Sequence, residues 1–126
     1  MKVLIDVVVL LIIGFIIGDE RQKEGKVIGV RTTTLVLLGS FIFSYIAVLI
    51  GDAPRMITGV AGAIGFIGSG IVWKGEGMTI GNLTTAVLIL VLAGIGCLLA
   101  LSYIVEATAF SIVTMLVLHF YKKVGH

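Results

Sequence analysis

The sequence has one cysteine, one proline and few charged residues, and these shortages exclude several classes of protein. Cys97 stands alone, so the chain has no internal disulfide and no metal site built from several thiolates. Only 13% of the 126 residues are charged, and the formal net charge is +2. Charges this sparse, with no aromatic residues among a basic run, do not form a surface for DNA or RNA, so no nucleic-acid partner is expected.

Signatures of catalysis and of cofactor binding are missing as well. The chain shows no serine, histidine and acid in a nucleophilic arrangement and no paired catalytic carboxylates. His119 has no second metal ligand at helical spacing, and we interpret it as a side chain that reaches the membrane interface. We therefore expect neither enzyme activity nor a cofactor.

Hydrophobic residues, by contrast, make up 59% of the chain, and the mean hydropathy is +1.22. A soluble domain of this size could not bury so many apolar side chains, so the composition predicts a membrane protein. The length leaves room for one domain, residues 1–126. The first apolar run ends in charged residues rather than at a small-residue cleavage site, which predicts a retained helix and not a signal peptide.

Charged and polar residues divide the chain into five apolar segments. A helix that spans a membrane needs about 20 mostly apolar residues, and charges mark the ends of such helices. The expected fold is therefore an all-α bundle of about five transmembrane helices, with four spans and one surface helix as the alternative. The predicted spans are 3–18, 32–50, 56–73, 83–101 and 107–121.

The basic residues are distributed unequally between the two sides of this predicted bundle. Only Lys2 and Arg55 fall on the side of the N-terminus, and the other seven Lys and Arg residues fall on the opposite side. Because cytoplasmic loops carry an excess of Lys and Arg, the N-terminus is predicted outside and the C-terminus in the cytoplasm.

The stretch GVAGAIGFIGSG, residues 59–70, contains five glycines inside the third predicted span. It lacks the Lys-Ser/Thr that completes a phosphate-binding loop. Small residues let helices approach closely in lipid, so we expect this helix to contact neighbouring helices and a second subunit. The alternative is that exposed backbone there lines a site or a pore. The residues predicted to form close helix contacts are Gly14, Gly18, Gly59, Ala61, Gly62, Gly65, Gly68, Ser69, Gly70, Ala86, Ala93 and Gly96.

The segment between the first two spans, residues 19–30, is the main polar cluster and is predicted to be a cytoplasmic loop. Glu20, Arg21 and Arg31 lie next to the spans, where charges often mark a site, whereas solvation alone explains the others. On the opposite side, Asp6 and Glu106 are interpreted as residues solvated at the interface, and pairing with Arg55 or a cation entrance is the alternative.

Asn82 precedes the fourth span and is predicted to be its N-cap, because its side chain can accept a bond from an unpaired backbone N–H. Asn82, Thr84 and Thr85 could instead offer oxygens and a helix N-terminus to an anion or a hydrated cation.

The order of four segments resembles the membrane domain of the MgtC/SapB family. The matching segments are GFIIGDERQ (14–22), GVRTTTLVLLGS (29–40), RMITGVAGAIGFIGSGIV (55–72) and LTTAVLILVLAGIGCLLA (83–100). Asn82 stands where the family usually has glycine. Many members continue into a soluble cytoplasmic domain after the last span, and from this sequence, which ends at His126, we expect only the membrane domain. The family's characteristic positions are occupied by Glu20, Arg21, Gln22, Gly29, Arg31, Thr32, Arg55, Gly65, Gly68, Gly70, Leu83, Thr84 and Thr85.

The resemblance implies a multi-pass protein of the prokaryotic inner membrane, linked to magnesium homeostasis and to virulence. It also implies a possible regulatory partner, since family members are credited with restraining ATP synthase. We expect a dimer that regulates another membrane protein through helix contacts, and the alternative is a homo-oligomeric transporter or channel for Mg²⁺ or another ion. The expected polar site comprises Glu20, Arg21, Gln22, Arg31, Thr32, Arg55, Asn82, Thr84 and Thr85.

Overall fold

The computed structural model describes residues 1–26, 28–72 and 80–121, with the side chains of residues 80–82 and 121 left out. These residues form five α-helices, which confirms the predicted all-α fold. The helices are α1 (Lys2–Lys23), α2 (Val30–Ile50), α3 (Ala53–Val72), α4 (Ile80–Ala100) and α5 (Ile104–Tyr121).

Three helices are long and apolar enough to cross a membrane: α2, α3 and the segment Leu83–Ala100 of α4. The apolar part of α5, Ile104–Phe120, is shorter. The helix α1 is long enough, but it carries charged residues near both ends. A membrane crossing by α1 or α5 therefore stays a prediction.

The helix α4 lies at the centre of the bundle and contacts each of the other four helices. It is also the most covered span, because 56% of its apolar segment is buried, against 33% for α2 and 11% for α3. Its buried side chains include Ile89, Leu92 and Leu99, which pack with Leu10 of α1 and Leu37 of α2. The helix α5 is peripheral and rests on α4 and α1.

Glycines permit two close helix contacts in this bundle. A Cβ at Gly18 of α1 would lie 2.5 Å from Cα of Val30, and one at Gly96 of α4 would lie 2.6 Å from the Leu37 carbonyl oxygen. Both neighbours are backbone atoms, which cannot move aside without shifting a helix. Gly14 likewise lies against Thr34 on α2. Gly14 and Gly18 thus let α1 and α2 form a tight antiparallel pair.

The predicted loop at residues 19–30 is wrong in its first half, because α1 continues to Lys23. Residues 19–23 are Asp, Glu, Arg, Gln and Lys, most of which favour a helix. The Lys23 ammonium lies 3.1 Å from the Asp19 carboxylate one turn earlier. Basic side chains in the last turn also favour the negative end of the helix dipole. The polar residues of this segment consequently have fixed positions on a helix face.

Two further expectations are corrected. Asn82 is not the N-cap of the fourth helix, because α4 already includes Ile80, and the Asn82 side chain lies outside the described part. Asp6 is not solvated at the interface but only 2% exposed. Its carboxylate accepts a hydrogen bond from the Lys2 ammonium four residues earlier.

Candidate functional site

The guanidinium of Arg21 lies near the predicted cytoplasmic end of the bundle. It is the most buried charge at that end in the described part of the chain. Arg21 is 3% exposed and lies in the last turn of α1. Its Nη2 donates a hydrogen bond to Oγ1 of Thr85 on α4, at 3.1 Å. A buried arginine is stable only where its charge is paired and its N–H groups find acceptors. This bond therefore links the end of α1 to the beginning of α4.

Glu20 supplies the nearest negative charge to this arginine. The Glu20 Oε1 lies 3.8 Å from Arg21 Nη1, which is ion-pair distance but too long for a hydrogen bond. Both carboxylate oxygens of Glu20 are buried, and neither has a hydrogen-bond partner in the described structure. The Nε of Arg21 is also buried without a partner there. The charges of Glu20 and Arg21 thus compensate each other, but both side chains have atoms without a hydrogen bond.

Gln22 attaches the same turn of α1 to the beginning of α2. The backbone N–H of Val30 donates to its Oε1 at 3.4 Å. The side chain of Gln22 fills the space beside Gly29, where a Cβ would lie 2.5 Å from the same oxygen. The end of α1 therefore contacts α2 through Gln22 and α4 through Arg21.

The two neighbouring threonines of α4 face different environments. Thr85 is fully buried and accepts the bond from Arg21. Thr84 lines an apolar groove of about 850 Å³ between α4 and α5, together with residues such as Val91 and Phe110. Only Thr85 of this pair therefore belongs to the buried polar site.

Three other predicted site residues are not gathered around Arg21, and the side chain of Asn82 lies outside the described part. Arg31 and Thr32, at the beginning of α2, are exposed. Arg55 is at the beginning of α3, and its Nε lies 3.5 Å from the Asp52 carboxylate at the other end of the bundle. The structure thus brings together Glu20, Arg21, Gln22 and Thr85, and we call these four residues the Arg21 cluster.

The sequence analysis missed one buried hydroxyl and one ion pair. Thr33, and not its neighbour Thr32, is fully buried, and its hydroxyl has no partner in the described part of the chain. At the opposite end of α1, Lys2 donates both to Asp6 and to the backbone carbonyl of Leu99, the latter at 3.3 Å. The spacing of four between Lys2 and Asp6 is the signal that could have indicated this ion pair.

The third helix has a surface that nothing in the described chain covers. Only Ile64 and Gly68 are buried among its twenty residues. A Cβ at Gly59, Gly62, Gly65 or Gly70 would meet no atom within 4 Å, and Ala61 and Ser69 are also exposed. We call these six residues the α3 surface: Gly59, Ala61, Gly62, Gly65, Ser69 and Gly70.

At one edge of the α3 surface, α3 meets α4. A Cβ at Gly68 would lie 3.6 Å from Cβ of Ala86, an ordinary contact distance. Beside this contact is a hollow of about 270 Å³ lined by Gly65, Ser69 and Ala86 among others. Phe66, which follows Gly65 in the sequence, is 83% exposed. Of the residues predicted on α4, Ala93 and Gly96 are buried inside the bundle and Ala86 is half-buried.

Metal ligands do not converge in the part of the chain that the structure describes. No three His, Cys, Asp or Glu side chains there are close enough to hold one ion. The carboxylate that combines burial with unused acceptor atoms is that of Glu20.

Comparison with known proteins places this sequence in a family. The MgtC family model matches residues 7–126. Protein MgtC of Salmonella typhimurium strain LT2 is 34% identical over 107 residues, which cover 83% of this chain and 46% of that protein. Protein MgtC of Brucella abortus strain 2308 is 36% identical over 107 residues, which cover 80% and 44%. The chain thus spans somewhat less than half the length of these relatives, and no solved structure matches it.

Proposed function

The chain belongs to the MgtC family, and from this premise we propose that it acts in magnesium or ion homeostasis by binding and regulating another membrane protein. The α3 surface is the proposed contact. The proposal places the chain in a prokaryotic inner membrane as a multi-pass protein, with its N-terminus outside.

The observation that supports this role is the absence of intrachain contacts at four glycines of α3. A Cβ at Gly59, Gly62, Gly65 or Gly70 would meet no atom from another part of the described chain within 4 Å. Each glycine inside a helix costs about 1 kcal/mol relative to alanine. At Gly18 and Gly96 the structure explains why glycine is present, because backbone from another helix occupies the space of a side chain. Within the described residues, no such backbone contact explains the four glycines of α3.

A partner helix packed against α3 would explain these four glycines. In a bilayer, apolar side chains gain little by leaving lipid, so helices associate through close contact of small residues and through interhelical hydrogen bonds. The α3 surface is smooth over several turns, and α3 is the least covered span of the bundle. A second helix could approach its backbone closely there.

Photo-crosslinking in native membranes tests this contact. A photoreactive phenylalanine analogue replaces Phe66 on α3, and the matched control replaces Phe15 on α1, which is also exposed, at 59%. We expect crosslinks to a different membrane protein from position 66 and not from position 15. Crosslinks only to copies of this chain, or equal crosslinking from both positions, would contradict the regulatory role.

A matched pair of glycine substitutions identifies the surface itself. Gly62→Leu fills the α3 surface, and Gly39→Leu makes the same change on α2, where a Cβ also meets nothing within 4 Å. We expect Gly62→Leu to abolish the crosslink from position 66 and Gly39→Leu to leave it intact.

A second candidate function is ion transport by a homo-oligomer, and the buried Arg21 cluster supports it. Ionisable groups inside a membrane bundle are costly and often belong to ion or proton pathways. Glu20 offers two buried acceptor oxygens for such a pathway. Flux of Mg²⁺ into liposomes that contain the purified chain, abolished by Glu20→Gln, would support transport. A chain that moves no ion under a gradient would eliminate this candidate.

A further inference from the structure

We propose that the groove between α4 and α5 binds one acyl chain of an anionic phospholipid from the cytoplasmic leaflet, with the lipid phosphate beside the lysines that follow α5. This lipid site is separate from the α3 surface. It takes from the proposed function only the orientation of the chain in the membrane.

The α4–α5 groove is long and apolar. Its volume is about 850 Å³, and its described lining contains no charged residue. It follows residues 83–98 of α4 and 110–118 of α5, which correspond to about 22 Å and about 12 Å of helix. Gly94 enlarges the groove, since a Cβ there would meet nothing within 4 Å. In a bilayer this space must be filled, because atoms that line a void lose their dispersion contacts.

The groove follows the half of α5 that packs least on the bundle. Ala107 and Ser111, in the first half of α5, are buried, whereas none of the described side chains from residue 112 onward is buried. The end of α5 and the beginning of α4 lie together on the predicted cytoplasmic side. The groove is therefore accessible to lipids of the cytoplasmic leaflet.

The depth and width of the groove favour an acyl chain over a helix. The hydrocarbon core of a bilayer is about 30 Å thick, so the chains of one leaflet reach about 15 Å, close to the length of groove along α5. A helix is about 10–12 Å wide, which exceeds the distance of about 8–10 Å between the axes of two packed helices. A third helix would rest on the rims of the groove, whereas a single acyl chain can enter it.

Positive charge follows the groove at its cytoplasmic end. Lys122 and Lys123 come directly after Tyr121, the last residue of α5, and the sequence from His119 to the end contains no acidic residue. Covalent geometry keeps the Cα atoms of both lysines within about 8 Å of that of Tyr121. Basic residues at this level of a membrane attract the anionic lipids of the cytoplasmic leaflet. The lipid that fits both ends of the site is therefore an anionic phospholipid.

Native mass spectrometry of the purified full chain tests the lipid site, because it counts the molecules that remain bound. Phosphatidylglycerol and phosphatidylcholine with identical acyl chains are titrated separately, and inorganic phosphate alone is titrated as a third probe. We expect one phosphatidylglycerol per chain, bound about tenfold or more tightly than phosphatidylcholine. Inorganic phosphate should not bind, since it has no acyl chain to occupy the groove.

A matched pair of tryptophan substitutions identifies the groove. Val113→Trp fills the groove from α5, and Val8→Trp makes the same change on α1, outside the groove. The two valines are almost equally exposed, at 53% and 54%. We expect Val113→Trp to remove the bound phosphatidylglycerol and Val8→Trp to retain it. Should Val113→Trp fail to fold, Gly94→Leu fills the groove from α4, and Gly39→Leu on α2 is its control.

A matched pair of charge substitutions identifies the headgroup contact. Lys122→Gln combined with Lys123→Gln removes two positive charges next to the groove. Lys23→Gln combined with Lys26→Gln removes two from the other part of the predicted cytoplasmic side. We expect the first double variant to bind phosphatidylglycerol about tenfold or more weakly, and the second to bind it as the original chain does.

Three results would overturn the lipid site. Equal affinity for phosphatidylglycerol and phosphatidylcholine would show that the headgroup charge is not recognised. Equal binding by Val113→Trp and Val8→Trp would place the lipid elsewhere. A dimer of the chain that Val113→Trp dissociates would assign the groove to a second copy. Because no partner protein is present in these measurements, they succeed or fail independently of the crosslinks from position 66.

Discussion

Arg21 and Thr85 lie 64 residues apart in the sequence, yet the guanidinium of one donates to the hydroxyl of the other at 3.1 Å inside the bundle. At the opposite end of the same two helices, Lys2 reaches the Leu99 carbonyl. The helix α1 is therefore bonded to α4 near both of its ends, and the two helices run antiparallel.

Loss of the Thr85 hydroxyl should destabilise the bundle. Thr85→Val keeps the shape of the side chain but leaves an N–H of a buried guanidinium unbonded, at a cost of about 1.5–3 kcal/mol. We expect a lower Tm in detergent for Thr85→Val and a Tm near that of the original chain for Thr85→Ser. Equal Tm values for the valine and serine variants would mean that the bond contributes no stability.

Removal of the arginine should be more damaging than removal of its acceptor. Arg21→Met leaves the buried Glu20 carboxylate without its counter-charge, and such losses typically cost about 3–5 kcal/mol. Combining Arg21→Met with Glu20→Gln removes the stranded charge and should recover part of the loss in thermal unfolding. A double variant no more stable than Arg21→Met alone would show that the two charges are not coupled.

Substitution by alanine should have opposite effects on stability at two glycines of α4. Gly96→Ala places a Cβ against the Leu37 carbonyl, so we expect destabilisation of about 1–3 kcal/mol. Gly94→Ala, two residues earlier, meets nothing within 4 Å and should be neutral or stabilising by up to about 1 kcal/mol. Thermal unfolding of both variants measures the difference. Equal effects at the two positions would contradict the close contact between α2 and α4.

The ion pair at the other end of α1 can be tested by separating its partners. Lys2→Met leaves the carboxylate of Asp6, which is 2% exposed, without its donor, and should destabilise the chain by about 1–3 kcal/mol. Adding Asp6→Asn removes the buried charge and should restore most of the Tm. If Lys2→Met were as stable as the original chain, water would have to solvate Asp6, against its burial in the bundle.

Several features of the site depend on how far one helix extends. The composition predicts that residues after Gly18 leave the membrane, but it does not predict whether they remain helical. In the structure α1 continues to Lys23, and this puts Arg21 on the same side of α1 as Gly14 and Gly18. Glu20 and Arg21 were therefore recognisable as candidates, whereas their burial and their partner Thr85 were not.

The sequence by itself determined the membrane character, the five helices and the family, because apolar composition, charged helix ends and ordered motifs are local properties of the chain. Only the tertiary structure decided which polar residues meet, that Thr33 and not Thr32 is buried, and that Arg55 lies away from Arg21. It also decided which glycines have a neighbour within the chain. These outcomes depend on the rotation and depth of each helix against the others, which are set by side-chain contacts between distant segments.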